Sequence, residues 1–386
     1  MKIPLVKNTI DNQDIDKLIE WLKTYPRLTK GDLTIEFEKK WSQFMDSPHS
    51  VFVNSGSSAN LLMLYTLLEM KKIKRGDTVI VPAVSWATDL APVVQLGLNP
   101  VLCDCNLEDL SLDLAHFEKI CKQYQPKAVI IVSILGLVPR MDKILDICNK
   151  YSVIPLEDAC ESFGSEFRKQ KLGTFGLMGT FSTYFGHHLS TIEGGIINTG
   201  DTEVYNVLKS IRSHGWDRDM DADHRERLRT KHKVSQFENL YKFYYFGFNL
   251  RSTDLSAFIG INQLEKAESM CQQRHHNFGL YNHSIKNEFW QPEIYEDCYV
   301  SNFAYPVISP SRDKIVENLT NEGIEVRPLV CGNLGNQPVW KENFERVSLP
   351  NAEQVDSYGM YLPNNHEMGE EEVNIISDVI NSSIES

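Results

Sequence analysis

Short apolar runs alternate with longer segments of helical period through the first two-thirds of the chain. "VFVNS" (51–55), "TVIVPA" (78–83), "PVLCD" (100–104), "AVIIVSI" (128–134) and "VIPLED" (153–158) read as buried strands. Between them, "SANLLMLYTLLEMKKI", "LDLAHFEKICKQY" and "MDKILDICNKY" have the length and spacing of helices. Strand then helix, repeated, predicts an α/β fold with a mostly parallel central sheet covered on both faces. Such a sheet places its ligand beyond the carboxyl ends of its strands, so the residues just after each run are the first candidates for chemistry.

The pattern changes after about residue 200. A charged stretch, "DRDMDADHRERLRTKHK" (217–233), reads as a solvated loop, with a lid or intersubunit arm as the alternative. It passes into the aromatic "FENLYKFYYFGFN" and then into helix with "STDLSAFIGINQLEKAESM". Further on come a long helix, a strand candidate in "NFAYPVI", and helices in "RDKIVENLTNEGI" and "EEEVNIISDVI". These predict a large domain over 1–255 and a smaller C-terminal α/β domain over 256–386.

Composition narrows the function classes. With 386 residues, 42% of them hydrophobic, the chain can bury a full core. Its 52 acidic against 39 basic residues give a formal charge of −13, a field that repels a phosphate backbone, so no nucleic-acid partner is expected. The first residues turn polar too soon for a secretory signal, and no apolar run approaches the roughly 18 residues of a membrane span. A soluble cytoplasmic protein without a membrane partner is the expectation. Eight cysteines without a CxxC pair fit reduced thiols. Cys103 and Cys105, two apart at the end of an apolar run, fall on one strand face and suit a buried structural role better than metal ligation, and no metal site is expected.

Three segments carry candidate chemistry. "NSGSSANLL" follows a strand and opens a helix, so the N–H groups of Gly56, Ser57 and Ser58 converge on an anion such as phosphate; a tight turn capped by Ser57 or Ser58 is the bland alternative. Asp158 ends a strand in "PLEDACESFGS", where an acid can ligate a metal, act as a base or hold a protonated ring nitrogen, and the residue alone leaves the choice open. Trp86, in "PAVSW", stands just beyond a strand, where its indole can lie on an aromatic cofactor or simply pack.

Taken in order with "GDLTIEFEKKW", "LGTFGLMGTFS", "EGG" and "GFNLRSTDLSAFIGINQL", these segments resemble the DegT/DnrJ/EryC1/StrS family of sugar aminotransferases, over nearly the whole chain. The resemblance implies the fold type I architecture of pyridoxal phosphate (PLP) enzymes. It makes Asp158 the partner of the pyridinium nitrogen and Trp86 the stacking platform. Gly56, Ser57 and Ser182 would hold the cofactor phosphate, Glu161 would lie near the ring hydroxyl, and Asn249 would reach the cofactor phosphate of a neighbouring subunit. A homodimer with composite sites follows from the last assignment.

The chain departs from the aminotransferase pattern at one position. Counting six back from Glu193, where the family has its Schiff-base lysine, gives His187 in "YFGHHLSTIEGG". Imidazole has no primary amine, so the cofactor must be held without a covalent bond. Histidine can instead shuttle a proton near neutrality, its unperturbed pKa being about 6.5. A histidine pair before "EGG", with "PAVSW", "HGW" at His214 to Trp216, and "GIEVRPLVCGN", is similar to the sugar 3-dehydratase branch of the family.

That branch implies an expected activity: PLP- and L-glutamate-dependent loss of the C3 hydroxyl from a nucleotide-linked 4-keto-6-deoxy sugar, giving a 3,6-dideoxy-4-keto sugar for O-antigen or capsule synthesis. Glutamate would convert the cofactor to pyridoxamine phosphate, and His187 would then move the protons that let the hydroxyl leave. His188, His214 and Arg327 are the expected substrate-binding residues, Arg327 because its fork suits a carboxylate or phosphate. GDP and a hexose follow from the resemblance alone, and a heptose with the same C3 and C4 chemistry suits the same residues. Related CDP-sugar dehydrases add an iron–sulfur cluster; here only Cys271, Cys298 and Cys331 follow His187, far apart, so no cluster is expected. The alternatives are a 4-aminotransferase using Lys169 or Lys171, and a non-catalytic PLP-binding scaffold.

Overall fold

The computed structural model describes residues 2–385. Its strands are β1 (His49–Val53), β2 (Thr78–Pro82), β3 (Asn99–Cys103), β4 (Ala128–Val132), β5 (Ile154–Asp158), β6 (Glu166–Phe167), β7 (Gln170–Lys171), β8 (Met178–Ser182), β9 (Gly195–Thr199), β10 (Cys298–Tyr299), β11 (Tyr305–Ile308), β12 (Arg327–Pro328) and β13 (Gly359–Leu362). The central sheet has the order β1-β9-β8-β5-β4-β2-β3. Neighbours from β8 through β3 are parallel, and β9 runs against both β8 and β1. The direction of travel across the sheet reverses between β2 and β4, which opens a crevice at the carboxyl ends of the strands.

The five runs expected as strands are β1 to β5, each within two residues of its expected limits. β8 and β9 were not expected. Their glycines and hydroxyls dilute the apolar signal because the backbone there is crowded. A Cβ on Gly179 would lie 2.2 Å from the carbonyl oxygen of Gly173, and one on Gly195 would lie 2.1 Å from that of Ser55. Buried Glu157 holds the adjacent loop by accepting the N–H groups of Gly173 at 2.7 Å and of Phe175 and Gly176 at 2.6 Å.

The charged stretch expected as a loop is helical over Ala222–His232. Its surface is polar all round, and it docks through ion pairs instead of an apolar stripe. Arg227 pairs with Glu203, and Asp221 meets Lys209 at 3.3 Å, both partners belonging to the helix Thr202–Ile211.

The chain beyond this forms the helix Ala267–Ser284, a sheet of order β11-β13-β12 and the closing helix Glu370–Glu385. The division expected at 255/256 falls inside the helix Asp254–Leu264, which packs against Asp32–Met45 of the large part and stays with it. One continuous core runs from Val51, Ile80 and Ile130 in the sheet to Val307 and Ile376 near the C-terminus, so the two parts meet across packed apolar surface. Cys103 and Cys105 are buried within it. Among the described residues no helix is long and apolar enough to cross a membrane.

Candidate active site

At the carboxyl end of the sheet lies a cavity of about 370 Å³ whose wall includes Gly56, Trp86, Asp158, Glu161, Ser182 and His187. Sequence reasoning had named all six.

The floor is set by the turn from β1 into the helix Gly56–Glu69. Ser55, and not Ser57 or Ser58, is the cap: its side chain accepts the N–H of Ser58 at 3.1 Å. The N–H groups of Gly56 and Ser57, at the first helical positions, have no partner within the helix and are available to an anion. Glycine is required here because a Cβ at position 56 would lie 2.8 Å from that of Ser182. Ser57 and Ser182 also line the cavity, so two hydroxyls flank the free N–H groups.

Asp158 is almost fully buried. Its Oδ1 accepts the N–H of Cys160 at 2.9 Å and its Oδ2 accepts Nδ2–H of Asn60 at 2.6 Å. Asn60 was not singled out from the sequence; a polar side chain within the apolar run of "SANLLMLYTLL" was the available signal. Trp86 caps the next helix from the end of β2 and leaves 56% of its surface exposed, which is rare for an indole without a partner. Glu161 accepts the N–H of Leu135 at 2.7 Å, and burial pushes its carboxyl up to about 7.

His187 and His188 sit in the loop from β8 to β9, closed by the N–H of Thr191 donating to the carbonyl of Thr183 at 2.9 Å. His187 lies on the cavity wall beside Phe303, ring centroids 5.3 Å apart. Its Nδ1 is buried without a partner among the described residues. Burial pushes the imidazole down to about 4, against the opposing pull of Asp158 and the Cys160 carbonyl, so it is a neutral base at pH 7. His188 corrects the expectation of a substrate contact. It is fully buried, lies outside the cavity wall, and donates Nε2–H to the carbonyl of Ser301 at 3.0 Å.

Three other expected residues stand apart from this wall. Asn249 is exposed, and its Oδ1 accepts Nε–H of Arg251 at 3.0 Å, while Arg251 Nη2 lies 3.4 Å from Nε2 of His214. This cluster runs beside the end of β1, where the N–H of Asn54 donates to the Leu250 carbonyl at 3.1 Å. Arg327 is exposed at the cavity rim on β12, opposite the wall residue Tyr361 of β13. Lys169 and Lys171 belong to the β6–β7 hairpin outside the cavity, where Lys171 pairs with Glu166 at 3.5 Å. Among the described residues no lysine is on the cavity wall.

These residues fit pyridoxal phosphate. The N–H cradle that a Cβ at position 56 would fill suits the phosphate, the exposed indole suits the ring face, and the buried Asp158 carboxyl suits a ring nitrogen. Among the described residues no group of three or more His, Cys, Asp or Glu is placed to hold a metal ion.

The pattern of the DegT/DnrJ/EryC1/StrS aminotransferase family matches residues 8–381. The chain is 35% identical over 375 residues to the GDP-4-keto-6-deoxy-D-mannose 3-dehydratase of Yersinia pseudotuberculosis, covering 94% of each. It is 35% identical over 394 residues to the enzyme of the same name from Escherichia coli O55:H7, covering 98% of this chain and 99% of that one. A crystal structure of GDP-4-keto-6-deoxymannose-3-dehydratase with a trapped PLP-glutamate geminal diamine superposes with a TM-score of 0.89 at 34% identity, over 98% of this chain and 100% of the other.

Proposed function

The chain belongs to the DegT/DnrJ/EryC1/StrS aminotransferase family, and on that premise we propose that it removes the C3 hydroxyl of a GDP-linked 4-keto-6-deoxy sugar, with pyridoxal phosphate as cofactor and L-glutamate as co-substrate. The observation that carries this reading is His187 on the cavity wall with Asp158 and Trp86, in a wall that among the described residues contains no lysine. The 3-dehydratase names and the glutamate adduct of the similar proteins support it.

Pyridoxal phosphate, when bound, supplies an amine carrier and an electron sink. Gly56 and Ser57 hold its phosphate by their N–H groups, with Ser182 adding a hydroxyl. Trp86 would cover the ring, Asp158 would keep a proton on the ring nitrogen, and Glu161 would serve the ring hydroxyl. His187, neutral at pH 7, takes the proton from the α-carbon of glutamate and returns one to the departing C3 hydroxyl. Among the described residues no lysine amine on the wall could take the cofactor back as a Schiff base, so nitrogen would leave as ammonia instead of remaining on the sugar.

Half-buried His214 and exposed Asn249, beside the end of β1, serve the substrate and cofactor of a second subunit in a homodimer, and Arg327 binds the diphosphate at the rim. Eight free cysteines and a nucleotide-sugar substrate suit the cytoplasm.

The balance of products tests the reaction. Deoxygenation releases one 2-oxoglutarate and one ammonia for each sugar consumed, with glutamate as the reductant. Amination releases 2-oxoglutarate and no ammonia, and that outcome would reject the proposal.

A further inference from the structure

Asp89, in the first turn of the helix Ala87–Gln95, is fully buried on the cavity wall and has no part in the mechanism above. Nδ2 of Asn60 reaches both it and Asp158: the amide lies 3.2 Å from Asp89 Oδ1 and 2.6 Å from Asp158 Oδ2. The amide is oriented by the Asp158 carboxylate, which at 2.6 Å needs the NH₂ side toward it, and Asn60 Oδ1 on the other side accepts the hydroxyl of Thr180 at 2.6 Å. One amide therefore brings two buried carboxyl groups together. The other oxygen of Asp89, Oδ2, is buried with no donor among the described residues.

A buried anionic oxygen without a donor is costly, and two carboxylates this close cannot both ionise readily. The groups that face Asp89 are the carboxyls of Asp158 and Glu161 and the thiols of Cys160 and Cys331, acids without a cation among them. Position in the first helical turn favours an anion at Asp89. Burial, with the Asp158 charge behind it, opposes this more strongly and pushes its carboxyl well above the usual range.

We propose that Asp89 is a positioning residue which, as a neutral carboxylic acid, donates a hydrogen bond to Asp158, so that the pair carries one negative charge and Asp158 presents it to the cofactor ring nitrogen. This rests on the assignment of Asp158 in the proposed function. With Asp89 neutral the Asp89–Asp158 pair offers one carboxylate to one pyridinium, whereas an ionised Asp89 would give the pair a second charge.

The test uses the full chain freed of cofactor, so it succeeds or fails apart from the sugar reaction. Wild-type and D89N proteins are unfolded across about pH 5 to 8. If Asp89 keeps its proton only when folded, the unfolding equilibrium constant of the wild type rises by up to about tenfold per pH unit relative to D89N. Parallel profiles would overturn the proposal. Should D89N fail to fold, D89S, with a hydroxyl donor and no titratable group, takes its place. Pyridoxal phosphate titration then reads the donor itself: D89V should bind about tenfold or more weakly than D89N, whose amide restores a donor to Asp158. Equal affinities of the two variants would also overturn it.

Discussion

His188 donates Nε2–H to the carbonyl of Ser301 at 3.0 Å, while His187, its neighbour in sequence, lies on the cavity wall. Only one of the two histidines thus reaches the cavity, and their substitutions should separate. H187N should retain pyridoxal phosphate but slow the glutamate half-reaction by about 10² to 10⁴, the span of general acid–base catalysis. H188N should cost about 1 kcal/mol of stability for the lost buried hydrogen bond and leave the half-reaction much faster than in H187N. Stopped-flow absorbance and thermal melts measure both; equal slowing in the two variants would contradict the assignment.

The pH dependence follows from the same environment. Burial pushes His187 down to about 4 and holds His188 well below the usual range. Below about pH 6.5 the unfolded chain therefore binds protons that the folded chain refuses. Stability contributed by neutral histidine is present above that value and is lost on acidification toward about pH 4. H188N should flatten this loss in denaturant melts. The glutamate half-reaction should hold its rate down to about pH 5, and a His187 inflection near 6.5 would contradict the buried, neutral base.

A methyl group at position 56 should be felt by the cofactor. The Cβ added by G56A would lie 2.8 Å from the Cβ of Ser182, so the helix start must shift away from the anion it faces. Misplacing two N–H donors should weaken pyridoxal phosphate binding by about tenfold or more, read by equilibrium dialysis.

Glu157 predicts a stability effect away from the chemistry. E157Q would set an NH₂ group against some of the three N–H groups that Glu157 now accepts from Gly173, Phe175 and Gly176. The loss should be about 1 to 3 kcal/mol in denaturant unfolding. A melt identical to wild type would mean that the loop holds itself.

Much of this site was legible in the sequence because its residues follow strands, and strands announce themselves by apolar runs. Gly56, Trp86 and Asp158 were found that way, since β1, β2 and β5 each end just before or at them. Asn60 and Asp89 were not, because a polar residue inside a helix gives no sign of which buried partner it meets. The helix at Ala222–His232 was read as loop for a related reason: it lacks the apolar stripe that marks a helix, being held by Arg227 and Asp221. His188 shows the limit of spacing, which places a side chain on a loop but does not fix its direction.

The central claim is that a histidine in the lysine's place turns amination into deoxygenation. The most direct measurement is the mass of the nucleotide sugar after incubation of the protein with pyridoxal phosphate, L-glutamate and GDP-4-keto-6-deoxymannose. The account predicts a product lighter than the substrate by one oxygen atom. A product in which an amine replaces the C4 ketone, with the C3 hydroxyl retained, would contradict it.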